Sequence, residues 1–287
     1  MNQDPTPHLL NMPSWYNGHL HTGDTLPIAP DDPALLFGAT VFTTLRIYNR
    51  LHHPRTHWRD HCQRLQTSLT ALGWRSPDWS QVEQGAIYLA DHDPVLRITL
   101  FPDGRHWILG RSLPADLDRW HQQGITAWVV NWDDLGDLGY GGRSLPSHKT
   151  GNYLAPWLAR QRAQQHQAQE AILVGLDDAW LETSTGNLWG WGAGCYWTPP
   201  ISQGILPGLA RSHLISSLKC QNIEIREEPW CAQVRSHLEA IAYCNSVVEV
   251  VPISHVLSGA DCRSYDPHHP GLELLQEAIA RPDPVGF

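Results

Sequence analysis

The segment Ser147-His148-Lys149-Thr150-Gly151-Asn152 holds one of only two lysines in the chain, the other being Lys219. Lysine and arginine together number 20, so arginine provides nearly all of the positive charge. Arginine stays protonated in proteins, whereas a lysine amine can be desolvated, deprotonated and used as a nucleophile. Lys149 is therefore the first candidate for a catalytic residue.

The composition indicates a globular protein that binds neither nucleic acid nor membrane. The 287 residues suffice for one large domain or two ordinary ones, and 41% hydrophobic and 17% charged residues are typical of globular chains. A formal net charge of −9 disfavours nucleic-acid and anionic-membrane binding, because both reward basic surfaces. No apolar run approaches a membrane span, and Met1–Pro5 lacks the pattern of a signal peptide. We expect a cytoplasmic protein.

The cysteines and histidines form no metal-binding pattern. The six cysteines are scattered without a C-x-x-C pair, which indicates reduced thiols in a cytoplasmic protein. The 17 histidines include no H-E-x-x-H motif and no paired Cys/His spacing. A metal-dependent hydrolase is an alternative that these patterns disfavour, so no metal site is predicted.

The first 101 residues predict alternating strands and helices. Asn17-Gly18 is typical of a hairpin turn, and Gly73 is typical of a residue that ends a helix. Strands are predicted where β-branched residues cluster or apolar residues alternate, and helices where leucines recur at helical spacing. The predicted elements are a hairpin within 14–30, strands at 40–48 and 95–101, and helices at 57–72 and 78–90.

The polar, proline-containing stretch 112–123 is the candidate boundary between two domains, residues 1–117 and 118–287. The second domain should contain a hairpin of 171–174 and 179–184, which puts Glu182 on a strand. Its other predicted elements are strands at 125–130 and 223–225, a loop at 136–142, helices at 152–167, 209–218 and 231–238, and a strand-turn-strand at 241–253. This mixture predicts an α/β or α+β fold.

Six motifs occur along the chain in one order. They are Phe37-Gly38 with Val41-Phe42-Thr43-Thr44-Leu45-Arg46, His61-Cys62-Gln63-Arg64-Leu65, His148-Lys149-Thr150-Gly151-Asn152, Leu181-Glu182-Thr183-Ser184-Thr185-Gly186-Asn187-Leu188, Thr198-Pro199-Pro200 with Ile205-Leu206-Pro207-Gly208, and Asn245-Ser246. Together, over about residues 35–255, they resemble the class IV, or fold type IV, pyridoxal-phosphate enzymes. That family comprises branched-chain aminotransferases, D-amino-acid aminotransferases and 4-amino-4-deoxychorismate lyases. The resemblance implies a smaller N-terminal α/β domain and a larger C-terminal pseudo-barrel domain.

The resemblance also assigns the cofactor and its ligands. Pyridoxal 5′-phosphate needs a lysine amine, here Lys149, which also acts as general base and acid at the substrate carbon. The pyridine nitrogen needs a carboxylate, and Glu182 matches it. The phosphate needs a cation and backbone N–H groups, which the resemblance places on Arg64 and on Leu209 and Ala210 after Gly208, with Ser246 as a further contact.

Three local features resemble the lyases more than the branched-chain transaminases. Phe42-Thr43-Thr44 stands where the branched-chain enzymes usually have Phe-Glu-Gly or a similar triplet, and the short interval from Lys149 to Asn152 resembles that of the lyases and the D-amino-acid enzymes. Arg105 falls roughly where lyases hold a substrate carboxylate. The candidate substrate-binding residues are Arg97, Arg105, Thr43, Tyr153 and Val247. One departure is Gly38-Ala39-Thr40 in place of the usual Gly-Asp-Gly, which could alter the substrate edge of the pocket.

The implied reaction is the elimination of pyruvate from 4-amino-4-deoxychorismate to give 4-aminobenzoate for folate synthesis. Lys149 would remove the proton from the amine-bearing ring carbon, and Lys149 or Thr43 would assist the leaving group with a proton. The alternative is a transaminase acting on D- or branched-chain amino acids with a 2-oxo acid acceptor. A binding module without activity is disfavoured by the presence of both Lys149 and Glu182. The resemblance further implies a homodimer.

Overall fold

The computed structural model of the chain describes residues 13–23, 25–130, 144–175 and 177–281. The chain divides into a small unit, Met1–Ser112 with Thr150–Asn152, and a large unit, Leu113–Lys149 with Tyr153–Phe287. The division falls within the polar stretch in which the sequence predicts the domain boundary, and the end points 1–117 and 118–287 stay predictions. The predicted glycine-rich loop at 136–142 lies outside the described residues.

The small unit is an antiparallel sheet with helices packed against it. Its five strands are in the order β2-β1-β5-β4-β3. The elements are β1 (Ser14–Tyr16), β2 (His19–His21), α1 (Pro33–Phe37), β3 (Val41–Arg46), α2 (Trp58–Leu72), α3 (Trp79–Ala90), β4 (Val95–Leu100) and β5 (His106–Arg111).

Local sequence signals set the ends of both long helices in the small unit. Gly73 ends α2 in the left-handed conformation with a φ of 67°, and the Asp78 side chain accepts from the first N–H groups of α3. Leu65 and Leu69 of α2 are buried in one cluster with Ile98 of β4, so the core lies between helices and sheet. The predictions for this region are confirmed except that the hairpin strands end at His21 and that α1 and β5 were not predicted.

The large unit contains nine of the fourteen strands in the described part of the chain. Its elements are α4 (Leu117–Gln123), β6 (Ile125–Val129), α5 (Leu154–Gln165), β7 (Glu170–Val174), β8 (Trp180–Thr183), β9 (Asn187–Gly192), β10 (Cys195–Thr198), α6 (Leu209–Cys220), β11 (Ile225–Glu227), α7 (Ala232–His237), β12 (Ala240–Asn245), β13 (Glu249–Ser258), β14 (Asp261–Ser264) and α8 (Pro270–Ala280).

The sheet of the large unit closes on itself. The strand order is β11-β10-β9-β12-β13-β6-β7-β8, and β8 pairs again with β9, so six strands form a ring. The closing contact pairs Glu182 of β8 with Asn187 of β9. The predicted α/β fold type IV architecture with a pseudo-barrel is confirmed.

Alternate residues of β9 face two different cores. Leu188 packs in the barrel cluster with Trp180 and Trp230, whereas Trp189 packs in a second cluster with Leu214 of α6. Both Trp189 and Trp230 are fully buried, so two of the 14 tryptophans of the chain fill these cores.

Some sequence predictions for the large unit need correction. The polar stretch 112–123 is not only a linker, because its second half forms α4 against β13. The strand predicted to include Ile223 begins at Ile225, and β9, β10, β14 and α8 were not predicted. No helix in the described ranges has both the length and the apolar character of a membrane span. Within those ranges, no group of three His, Cys, Asp or Glu side chains could hold a metal ion.

Candidate functional site

Lys149 lies in the irregular segment that leads into α5, and it is half-buried. Its Nζ atom is 5.3 Å from the centre of the Tyr153 ring. The Tyr153 hydroxyl donates to the carbonyl oxygen of Ser184 at 2.5 Å. Tyr153, predicted as a pocket residue, therefore connects the lysine to the loop that follows Glu182. Its predicted contact with substrate stays a prediction.

Glu182 is a buried carboxylate at the centre of a strand, with 2% of its surface exposed. Its Oε2 atom accepts from the backbone N–H of Leu206 at 3.3 Å and from the side-chain nitrogen of Asn187 at 3.5 Å. The same Asn187 nitrogen donates to the carbonyl oxygen of Leu206 at 2.9 Å. A buried carboxylate is costly unless it is hydrogen-bonded, and here two donors hold its position. The sequence predicted Glu182 on a strand, but the role of Asn187 was missed.

The first turn of α6 is a helix N-terminus that begins at a glycine. Gly208 is the N-cap residue and makes no side-chain cap to the N–H groups of the turn that contains Leu209 and Ala210. These groups and the helix dipole favour an anion at this position. A Cβ atom on Gly208 would lie 2.1 Å from Asn187 Oδ1, so only glycine fits beside that asparagine.

Arg211, in the same helical turn, is buried and fully engaged. Its Nη2 atom contacts Glu227 Oε2 at 2.7 Å and donates to the carbonyl oxygen of Pro199 at 3.0 Å, and its Nε donates to Thr198 Oγ1 at 3.3 Å. These bonds attach the start of α6 to the end of β10 and to β11. Sequence reasoning missed Arg211 because nothing local distinguishes it from an exposed helix arginine.

Ser246 and Val247 lie in the turn between β12 and β13, and both are half-buried. Asn245 Oδ1 accepts from the backbone N–H groups of Val247 and Val248 at 2.9 and 3.0 Å. Glu249, the next residue, has a φ of 61°, in the left-handed region. The turn that carries Ser246 is thus shaped by an asparagine side chain. The phosphate role of Ser246 and the substrate role of Val247 stay predictions.

Arg64 and Thr43 contact each other within the small unit. The Thr43 hydroxyl is fully buried, accepts from Arg64 Nη2 and is hydrogen-bonded to His61 Nδ1. The Arg64 Nε atom is buried without a hydrogen-bond partner among the described residues, and burial lowers the pKa of Arg64 to about 10. Thr43 therefore holds Arg64, and the guanidinium keeps a donor that an anion could satisfy.

Arg97 and Arg105 have contacts of different kinds. Arg105 is ion-paired with Asp32 and Asp103, both at 2.6 Å, and it donates to Tyr16 at 3.2 Å. A substrate carboxylate would have to compete with these two carboxylates. Arg97 lies over the Phe42 ring, with its guanidinium carbon 3.6 Å from the ring centre. Both substrate roles stay predictions.

Thr44 lies directly opposite Arg97 in the pairing of β3 and β4. Because side chains alternate along a strand, Thr44 points to the opposite face of the sheet from Thr43. Thr43 faces α2, and Thr44 is partly exposed. The second threonine of the Phe-Thr-Thr triplet is therefore the better placed one for a ligand. The sequence prediction, which named Thr43, had no signal to choose the face.

The unusual Gly38-Ala39-Thr40 turn packs against the residues that follow Lys149. Thr40 accepts at its carbonyl oxygen from the Gly151 N–H at 2.7 Å, and Val41 forms a bridge with Thr150. A Cβ atom on residue 151 would lie 2.2 Å from the Thr40 hydroxyl oxygen. The larger residue at position 40 is thus accommodated by the glycine at 151.

Comparison with protein families identifies one family over most of the chain. The family model described as Amino-transferase class IV matches residues 40–256. A branched-chain-amino-acid aminotransferase of Escherichia coli K12 is 24% identical over 275 residues, 84% of each protein. An aminodeoxychorismate lyase of Vibrio harveyi is 22% identical over 257 residues, 84% of this chain and 90% of the lyase. A D-alanine aminotransferase of Staphylococcus aureus is 23% identical over 258 residues, 83% of this chain and 86% of that protein.

Solved structures show the same fold. The apo form of a hypothetical aminotransferase from Mycobacterium tuberculosis has a TM-score of 0.78 at 18% identity and covers 94% of this chain and 97% of its own. A branched-chain amino acid aminotransferase from Escherichia coli has a TM-score of 0.76 at 21% identity and covers 93% of this chain and 92% of its own.

Proposed function

The chain belongs to the class IV aminotransferase family, and from this premise we propose that it is a pyridoxal-phosphate-dependent aminodeoxychorismate lyase. The observation that carries the proposal is the pairing of Thr44 with Arg97 between β3 and β4, which puts a threonine and an arginine side chain on one face of the small sheet. The substrate, 4-amino-4-deoxychorismate, carries two carboxylates, which such a polar pair would bind. The apolar side chain of a branched amino acid offers no charged group for such a pair to bind.

Pyridoxal 5′-phosphate is the cofactor of fold type IV aminotransferases, and the residues of this chain fit it. The donor set has the required chemistry: the Lys149 amine, the buried Glu182 carboxylate and the N–H groups of Leu209 and Ala210. The Arg64 Nε in the small unit, which has no hydrogen-bond partner among the described residues, is a further donor suited to a phosphate. We assign Arg64, the α6 amides and Ser246 to the phosphate, and Glu182 to the ring nitrogen.

Each residue would have a defined task. When bound, the cofactor acts as an electron sink for the carbon that bears the substrate amine. Lys149 removes the proton from that carbon and delivers a proton afterwards. Glu182 holds a proton on the ring nitrogen by its negative charge, which burial makes more effective than it would be in water. Thr44 and Arg97 orient the substrate by its carboxylate.

The proposed elimination balances without another reactant. The carbon–hydrogen bond at the amine-bearing carbon and the carbon–oxygen bond to the enolpyruvyl group break. The electron pair left by the proton forms the last double bond of the aromatic ring. The enolpyruvyl group leaves as the enolate of pyruvate, which takes up the released proton as it becomes the keto acid. The products are 4-aminobenzoate, a precursor for folate synthesis, and pyruvate.

A transaminase acting on D- or branched-chain amino acids is the second candidate. The observation in its favour is the branched-chain aminotransferase of Escherichia coli, which is 24% identical where the Vibrio harveyi lyase is 22% identical. A transaminase would keep Lys149 and Glu182 and would differ in the groups that contact the substrate side chain.

A product assay with the purified holoenzyme separates the two reactions. With 4-amino-4-deoxychorismate we expect equal amounts of pyruvate and 4-aminobenzoate, and no glutamate when 2-oxoglutarate is present. Amino transfer from D-alanine or L-leucine to 2-oxoglutarate without pyruvate release from aminodeoxychorismate would refute the lyase. Thr44→Gly tests the role of the pairing between Thr44 and Arg97. It should raise KM for aminodeoxychorismate, whereas Thr43→Gly should mainly lower the stability of the protein.

The proposal includes a cytoplasmic homodimer. Apolar side chains on short surface segments support an interface, since Leu35, Leu36 and Phe37 of α1 are exposed by 63%, 55% and 75%. In the large unit, Leu154 and Trp157, one turn apart on α5, are more than half exposed. Sedimentation of the holoenzyme should give twice the monomer mass, and Phe37→Glu should shift it toward the monomer.

A further inference from the structure

Glu170 is a second buried carboxylate of the large unit, and the proposed chemistry does not use it. It is the first residue of β7, and 2% of its surface is exposed. It accepts from the Ser184 hydroxyl and, at 2.6 Å, from the Thr185 hydroxyl. Arg160 of α5 approaches it with its Nε atom at 4.0 Å. Such a buried charge is costly to retain if it only fills space, because an apolar side chain would pack without desolvation.

From Ser184 the contacts lead to the catalytic lysine. The Ser184 carbonyl oxygen accepts from the Tyr153 hydroxyl at 2.5 Å, and the Tyr153 ring lies 5.3 Å from Lys149 Nζ. Glu170 therefore restrains, through one residue, the aromatic ring beside Lys149.

From Thr185 the contacts lead to the turn that carries Ser246. The Thr185 hydroxyl, which donates to Glu170, accepts from Asn245 Nδ2 at 3.4 Å. Asn245 Oδ1 accepts from the N–H groups of Val247 and Val248 on the far side of Ser246. An amide that uses both its donor and its acceptor in this way has a defined orientation.

We propose that Glu170 is a positioning residue that aligns the lysine end and the phosphate end of the cofactor site through the hydroxyls of Ser184 and Thr185. This inference rests on the proposed assignment of Lys149 and Ser246. The Ser184 branch acts on the ring end, and the Thr185 branch acts on the phosphate end. Loss of the Thr185 hydroxyl should therefore weaken the binding of a phosphorylated ligand more than the binding of a ligand without a phosphate.

Two conservative changes at Thr185 test the phosphate branch. Thr185→Val keeps the shape without the hydroxyl, and Thr185→Ser keeps the hydroxyl with one methyl group fewer. Binding of pyridoxal 5′-phosphate and of pyridoxal to cofactor-free protein is measured by absorbance. We expect Thr185→Val to raise the Kd for pyridoxal phosphate about tenfold and that for pyridoxal less than about threefold, with Thr185→Ser near wild type.

Glu170→Gln tests the carboxylate itself, with the exposed Glu277→Gln as control. We expect Glu170→Gln to weaken the binding of both ligands and Glu277→Gln to weaken the binding of neither. Circular dichroism establishes that each variant is folded at the temperature used, and if Glu170→Gln does not fold, the two Thr185 variants test the inference.

The inference is overturned if Thr185→Val and Thr185→Ser bind pyridoxal phosphate alike, or if Thr185→Val weakens the binding of both ligands equally. It is also overturned if folded Glu170→Gln binds both ligands as wild type does. If wild type and Lys149→Ala bind pyridoxal phosphate alike, the site assignment fails instead.

Discussion

Asn187 lies opposite Glu182 where β8 meets β9, and its side-chain nitrogen is 3.5 Å from the Glu182 carboxylate. The same nitrogen contacts the carbonyl oxygen of Leu206, whose own N–H donates to Glu182. The Asn187 amide therefore links three features, which are the closure of the barrel, the Glu182 carboxylate and the loop before α6. The pairing that completes the sheet also sets the position of the group assigned to the ring nitrogen.

Asn187→Asp should weaken cofactor binding. It replaces a donor by a second carboxylate next to Glu182, and two carboxylates this close cannot both stay ionised. We expect the pyridoxal phosphate Kd at pH 7 to rise about tenfold and to recover in part as the pH is lowered toward protonation of the pair. Absorbance titration at several pH values measures this. Asn222→Asp, at an exposed position, is the control and should bind as wild type.

Lys149→Ala should abolish catalysis, because no other residue of the proposed site supplies an amine. We expect kcat to fall at least about a thousandfold. Borohydride treatment followed by mass spectrometry should add the reduced cofactor to wild type and not to the variant. Lys219→Ala, which removes the only other lysine from an exposed position of α6, should keep both the activity and the added mass.

Arg211→Met should lower the free energy of unfolding by about 1–3 kcal/mol, because Thr198 Oγ1 and the Pro199 carbonyl lose their buried donor. Glu227 is 37% exposed, so its charge can hydrate once the arginine is gone. Glu227→Gln should therefore cost less than Arg211→Met. Urea unfolding followed by circular dichroism gives both values, and equal losses would contradict this account.

Asp32 should stabilise the protein only above acidic pH. The Arg105 guanidinium, and then the Ala34 N–H, hold the pKa of Asp32 below its ordinary value of 3.8. The Asp32 carboxyl therefore binds a proton more weakly in the folded than in the unfolded protein. Its stabilisation of the fold is complete at a pH above the pKa of the unfolded state, and it is lost as the pH falls through the lower pKa of the folded state.

Asp32→Asn therefore should be less stable than wild type at pH 7, and the two proteins should converge below pH 3.8. Unfolding midpoints across the pH range measure the difference. If the difference between the two midpoints stays constant down to the most acidic pH at which both proteins fold, the stabilising role of ionised Asp32 is refuted. Asp31→Asn, at the exposed neighbouring position, is the matched control.

The cysteines should differ in their reactivity toward thiol reagents. Burial raises the pKa of both Cys62 and Cys244 to about 12, so their reactive thiolate is scarce at pH 8. Cys220 and Cys262 are exposed. Peptide mapping after brief maleimide treatment should find label on the exposed pair and none on Cys62 or Cys244. Unfolding in urea should make all of them react.

The parts of the fold with local signals were predicted well. Asp78 and Gly73 bound helices because a carboxylate caps N–H groups and glycine adopts the left-handed conformation. The hairpin around Glu182 was predicted from the two stretches 171–174 and 179–184, which flank residues 176–178. These signals act over a few residues, so the sequence alone displays them.

The missed parts depend on distant contacts. β9 reads Asn-Leu-Trp-Gly-Trp-Gly, and its glycines weaken any strand signal, yet a Cβ atom on Gly192 would lie 2.3 Å from the His237 carbonyl oxygen. The sequence does not show which threonine of the Phe-Thr-Thr triplet faces α2, because the orientation of a strand depends on the packing of the helix. The hydrogen bonds of Glu170 and Arg211 join segments far apart in the chain, and no sequence motif predicts them.

The glycine at the start of α6 has an evolutionary consequence. Since a Cβ atom at position 208 would lie 2.1 Å from Asn187 Oδ1, any other residue there requires Asn187 to move or to change as well. Thr44 lies in a partly exposed position. Descendants of this chain could therefore acquire new substrates by single steps on β3, while the residues around Asn187 stay the same.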